Sequence, residues 1–311
     1  MLLHHFNVTK SSVENKPLEL KSYNTFTDKK NSFIMVESGI EKTSETVAND
    51  DKTTMTELPN ELYQQTLKDI IKDKCAFADS DYKINIEAGS SKGDNYIGVL
   101  YRAIISNDKD EFNVIVKLPP ASIARREQFF ARPCFLRESK FYDELYPMYK
   151  KFQEDKGIVV NNEGFYEVAE CYKSLTEDQN EALFMEDVKV TNFFMFDRFQ
   201  DVTFAHVSTV MKALGKFHAI SLAMKDQNPE LIAPYKDLQD ILMSRDGDIP
   251  MTTWFDMLKV QALDTLKTET NQDIVERTKK VIDQDFFHLL NSCIDGKASE
   301  PYTVVAHGDC W

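Results

Sequence analysis

The sequence predicts an α+β chain in two lobes, a small β-rich one followed by a helical one. Three observations predict it. Apolar residues alternate with period two between Tyr82 and Leu118, the pattern of strands that bury one face. From Phe204 to Leu290 they recur at helical spacing instead. Residues 1–56 are rich in Ser, Thr, Asn, Lys and Glu with only isolated apolar side chains. Such a stretch buries too little to offset its ordering entropy, so a disordered extension is expected there. At 311 residues and 42% hydrophobic, the remainder is long enough for a sizeable core. The expected division is 1–56 as extension, 57–186 as the β-rich lobe and 187–311 as the partial helical lobe.

Taken in order, Leu58-Pro59 opens the folded part, with Pro59 suited to a first helical turn. Leu62, Tyr63, Leu67, Ile70 and Ile71 then follow on one helix face. Tyr82, Ile84 and Ile86 alternate as a first strand. A Gly- and Ser-rich turn from Ala88 to Tyr96 leads into a second strand, Ile97 to Ile105, and Phe112 to Leu118 makes a third. The turn reads two ways: a plain hairpin, or a loop whose backbone N–H groups cover phosphate oxygens. No Gly-Lys-Ser/Thr follows it, so it is not a Walker A loop.

Lys117 ends the third apolar run just before Pro119-Pro120. A solvated edge lysine is one reading, and a strand lysine that grips phosphates is the other. The next helix, expected from Cys134 to about Tyr146, carries Phe135, Phe141, Tyr142 and Leu145 on one face, with Glu138 pointing to the same side. An inward carboxylate costs several kcal/mol unless it meets a cation, and Lys117 is the cation that this element order delivers. The alternative is a surface glutamate. Between them, Arg125, Arg126 and Arg132 read as a solvated loop.

Phe165 to Tyr172 reads as a further strand, and Glu181 to Val188 as one ending in an acidic pair, Glu186-Asp187. That ending suits a connection between lobes, and equally a hairpin with solvated acids. Phe204 to Lys225 places Val207, Val210, Met211, Leu214, Phe217, His218 and Leu222 on one stripe, with His218 read as a hydrogen-bonded core histidine. Trp254 to Leu266 and Ile274 to Leu290 are two more amphipathic helices. Tyr302 to Val305 reads as a short buried strand running into His307-Gly308-Asp309, where Gly308 permits a tight turn. A carboxylate just past a buried strand is where a phosphotransferase keeps its base. Alone, the tripeptide is equally an ordinary turn.

The formal net charge of −14 argues against nucleic acid or an anionic membrane as the main partner. The sequence holds no apolar run of about 18 residues. Its five cysteines are scattered and without a Cys-x-x-Cys pair, which fits reduced thiols better than disulfides or a zinc site. A cytoplasmic location is the default expectation.

Six blocks occur in one order: Gly93-Asp94-Asn95-Tyr96 with Tyr101-Arg102; Val114-Ile115-Val116-Lys117; Glu138 with Phe141-Tyr142; Met185-Glu186-Asp187; Leu214 to Ala219; and His307 to Trp311. Together they resemble the ecdysteroid-kinase-like family, a branch of the choline-kinase and aminoglycoside-phosphotransferase group, over roughly residues 58–311. The resemblance implies a two-lobed protein-kinase-like fold that uses ATP and magnesium to phosphorylate a hydroxyl of a small-molecule alcohol. It implies Asp309 as the base facing that hydroxyl and His307 as a brace for the loop. It implies Lys117 on the α- and β-phosphates, held by Glu138. Ser90, Ser91, Gly93, Asp94 and Asn95 would cover the phosphates, and the backbone of Met185, Glu186 and Asp187 would meet adenine. The family's paired asparagines and its later Asp-Phe-Gln segment have no match in this sequence, so the metal ligands are expected beyond Trp311. The 311 residues by themselves are then expected to be an inactive fragment, a monomer or weak oligomer. A nucleotide-binding pseudokinase is the alternative, and a thiol or metal hydrolase built on His307 and Cys310 a distant third.

Overall fold

In a computed structural model the described residues are 57–89, 98–159, 164–197, 200–236, 238, 240–241, 249–285, 288–289, 292–293 and 296–308. The expected extension over 1–56, the turn residues Ser90, Ser91, Gly93, Asp94 and Asn95, and Asp309 lie outside them.

The first helix, α1 (Glu61–Lys74), is capped by Asn60, whose side chain accepts from the Tyr63 N–H at 2.8 Å. Pro59 therefore stands just before the cap, not in the first turn. Tyr63, Leu67, Ile70 and Ile71 are buried as their spacing predicts, whereas Leu62 faces outward. They cover one face of a five-stranded antiparallel sheet formed by β1 (Lys83–Ala88), β2 (Val99–Ser106), β3 (Glu111–Leu118), β4 (Cys171–Leu175) and β5 (Ala182–Glu186), in the order β1-β2-β3-β5-β4. Register sorts the residues. Ala103 lies opposite Val114, and Tyr101 opposite Val116, on the α1 face; Arg102 lies opposite Ile115, and Leu100 opposite Lys117, on the other. The alternation that marked Val114, Val116 and Leu118 as core also sends Lys117 to the opposite face.

Gly98 leads into β2 at a close approach. A Cβ there would lie 2.8 Å from the Leu118 carbonyl oxygen, a backbone atom that cannot rotate away. Gly98→Ala is expected to cost about 1–3 kcal/mol through forced backbone displacement, read as a lower midpoint in urea unfolding with an unchanged slope.

After β3, the short α2 (Ile123–Gln128) precedes α3 (Ala131–Lys140), a π-helical turn (Phe141–Leu145) and α4 (Tyr146–Asp155). The helix expected to stop near Tyr146 runs on as one rod to Asp155. Pro147 explains both the expectation and the outcome. It has no N–H to donate, and its ring crowds the carbonyl one turn back. The turn before it is widened, with the Tyr146 N–H reaching the Phe141 carbonyl, so the rod continues.

Residues 165–170 form no strand, contrary to the sequence reading. Gln153 of α4 claims that backbone: its Oε1 accepts from the Phe165 N–H at 2.7 Å and its Nε2 donates to the Phe165 carbonyl at 3.1 Å. The pairing of β4 with β5 therefore begins only at Cys171.

A second core joins the rod to the helical lobe. Phe141, Tyr142, Leu145 and Tyr149 pack with Phe165, Leu183 and, from α5 (Phe204–Gln227), Phe217, Ile220 and Met224. Thr203 caps α5 in a reciprocal box with His206. The expected stripe on α5 is only half right: Val207, Met211 and Leu222 are exposed. Beyond the short α6 (Pro229–Ile232), α7 (Ile249–Thr265) and α8 (Gln272–Ile282) follow. The last ends eight residues short of the expected Leu290, at Ile282, and buries none of its residues. Tyr302 to Val305 is not a strand either; Tyr302 is exposed, and the Val305 N–H goes to a side chain of α5. The whole is an α+β two-lobed protein-kinase-like fold. Among the described residues, no helix is long and apolar enough to cross a membrane.

Candidate functional site

Lys117 and Glu138 meet. The Nζ of Lys117 donates to Glu138 Oε2 at 2.6 Å, and the two residues are only 5% and 7% exposed. Neither the solvated edge lysine nor the surface glutamate survives. β3 delivers the ammonium from the sheet face away from α1, while α3 packs against that face and turns Glu138 inward. Phe135, one helical turn before Glu138, places its ring under the ammonium at 5.6 Å. An ammonium held by one carboxylate and one aromatic face keeps donor capacity on its third side.

The arginines expected in a solvated loop do something else. Arg126 of α2 and Arg132 of α3 each donate to Glu181 at 2.5 Å, one to each carboxylate oxygen, and Glu181 is fully buried at the start of β5. Burial by itself would push the Glu181 carboxyl up, but the two guanidiniums outweigh it and hold the group below the ordinary carboxylate range. This clamp ties the helices after β3 to the sheet, and so fixes the angle at which α3 presents Glu138. Its sequence signal was an acid directly abutting a buried run, with arginines in the preceding connection.

Asp187 is likewise not a solvated acid. It is 2% exposed and accepts from Arg102 Nε at 2.5 Å; Arg102 in turn reaches Glu87 at 3.2 Å. Its other oxygen accepts from the Lys189 N–H at 3.0 Å, capping the 3-10 turn Val188–Thr191. The Lys189 ammonium donates to the Gly89 carbonyl at 3.2 Å. The connection after β5 is thus fastened twice to the root of the β1–β2 hairpin. Met185 packs against the second core, and the Glu186 side chain accepts from the Glu170 N–H at 3.1 Å. With Asp187's carboxylate committed, any ligand at this connection would meet main-chain groups.

His307 is buried, 6% exposed, and Gly308 has φ +82°, a left-handed conformation that glycine adopts freely. His218 is half-buried, and burial lowers its imidazole from the ordinary range. Among the described residues, its Nε2 has no hydrogen-bond partner, contrary to the bonded core histidine expected. No group of three His, Cys, Asp or Glu among the described residues could hold a metal ion.

A family model described as the ecdysteroid kinase-like family matches residues 92–311. Comparison with curated proteins and with solved structures gave no match.

Proposed function

Since the chain belongs to the ecdysteroid kinase-like family, a family of kinase-type phosphotransferases, we propose that it serves ATP-dependent phosphorylation of a small-molecule alcohol, an ecdysteroid-like one among the candidates. The observation that carries this is the buried Lys117–Glu138 pair on the sheet face away from α1. A buried ion pair is a poor stabiliser, since well-packed apolar residues of the same volume do as well or better. An ammonium retained there, with donor capacity left over, has the chemistry of a phosphate grip.

Residues 57–186 would then be the nucleotide-binding lobe and 187–311 a partial helical lobe. Lys117 would neutralise the α- and β-phosphates while Glu138 sets its direction. The hairpin residues Ser90, Ser91, Gly93, Asp94 and Asn95 would lie over the phosphates, and the backbone of Met185 to Asp187 would take the adenine edge. Asp309 would accept the proton as the acceptor oxygen forms its bond to the γ-phosphorus and the bond to ADP breaks; His307 would brace that loop. Among the described residues, no group of three His, Cys, Asp or Glu fits a magnesium ion. We place the protein in the cytoplasm as a monomer or weak oligomer, with no nucleic-acid or membrane partner.

Saturating ATP should raise the melting temperature. At one hundred times the dissociation constant the gain is about 2.7 kcal/mol, or roughly 5–10 °C for a chain of this size. No shift at millimolar ATP would overturn the reading. A shift without transfer to any of a panel of ecdysteroids would leave a nucleotide-binding pseudokinase.

A further inference from the structure

One face of α5 serves as a rail for the segment that enters the His-Gly-Asp turn. Lys225 binds it first: its ammonium pairs with Glu300 and donates to the Pro301 carbonyl at 3.0 Å and to Thr303 Oγ1 at 2.7 Å. One turn earlier on the helix, Ser221 Oγ accepts from the Val305 N–H at 3.0 Å. The chain therefore runs antiparallel to α5, advancing two residues as the helix steps back four. His218 comes next. Positions 218, 221 and 225 lie three, four and seven apart, so they share one helix face. A step of three residues along a helix covers about 4.5 Å, and two residues of extended chain about 6.6 Å. The next contact on the rail thus falls at Ala306–His307. His218 presents there a buried Nε2 that has no partner among the described residues, and a buried polar atom left unmatched is costly.

We propose that His218 is the third rung of this ladder, a positioning residue whose Nε2 closes on the backbone at Ala306–His307 when the segment is drawn tight along α5. The ring rests against Phe217 at 5.7 Å between centroids, which limits the directions it can take. Contacts of this kind are often long in an unliganded protein and shorten on engagement. The catalytic consequence, that the rung steadies the approach to the His307–Gly308 turn, rests on the reading given under Proposed function.

The test is amide hydrogen exchange on the 311-residue chain, comparing His218→Leu, His218→Gln and Ser221→Ala. His218→Leu should speed exchange of residues 303–308 by roughly tenfold, the size of one hydrogen bond. Exchange in α1 and the sheet should stay unchanged, and His218→Gln should restore protection. Ser221→Ala should release the same segment and shows that the readout works. Release by Ser221→Ala but not by His218→Leu would overturn the proposal. So would a uniform loss of protection across α5 with both His218 variants, which marks a packing role only. If the exchange pattern appears but ATP does not bind, the rung stands and the phosphotransferase reading falls.

Discussion

Lys117→Met is expected to destabilise the protein by about 3–5 kcal/mol, because it strands a buried carboxylate. For a chain of this length that lowers the melting temperature by roughly 10 °C. Glu138→Leu should do comparable damage by stranding the ammonium. The double substitution Lys117→Met with Glu138→Leu removes both charges and leaves Phe135 and the surrounding apolar surface to close the gap. Its stability should return to within about 1–2 kcal/mol of the natural chain. ATP binding should behave differently. A charge-assisted contact to phosphate is worth about 1.5–3 kcal/mol, so both Lys117→Met and the stable double variant should bind ATP roughly tenfold to a hundredfold more weakly. Titration calorimetry separates the two outcomes. Full ATP affinity in the double variant would show that the pair only holds the fold together.

Glu181→Ala is expected to be the most disruptive single change elsewhere. Glu181 has no exposed surface, and it joins Arg126 and Arg132, which come from different helices. Removing it leaves the Arg126 guanidinium, itself largely buried, without its carboxylate. The loss should be about 3–5 kcal/mol, visible as a lower melting temperature in calorimetry. Glu181→Gln should fall between the two, since the amide oxygen still accepts from one guanidinium. The pH dependence has a definite sign. The folded carboxyl is held below its ordinary range, so the unfolded chain binds the proton first as pH falls. The stabilisation is complete above the unfolded value near 4.3 and declines below it, through the folded value. Melting temperature in acid should therefore fall less steeply in Glu181→Gln than in the natural chain. An identical slope would show that the clamp carries no net stabilising charge interaction.

Much of the fold was legible because local rules state it. Period-two alternation marked β1 to β3, and helical spacing marked α1 and α5. The misreadings share a cause. Phe165 to Glu170 has strand composition, yet Gln153 takes both backbone bonds of Phe165; Tyr302 to Val305 is β-branched and aromatic, yet Lys225 and Ser221 hold it as a rail-bound segment. Composition records what a segment prefers, not which side chain reaches its amides first. The candidate site was half legible: Lys117 facing Glu138 was one of two readings the sequence left open, while the Glu181 and Asp187 clusters were missed.

The sequence by itself determined the two lobes, the strand faces, the family blocks and the placement of Lys117 opposite the core side of β3. The tertiary structure alone decided which charges are buried. The three deciding pairs, Lys117 with Glu138, Arg126 with Glu181 and Arg102 with Asp187, span 21, 55 and 85 positions. Hydrophobic periodicity is a property of neighbours along the chain. The burial of a charge depends on the distant element that packs over it, and on whether that element brings the opposite sign.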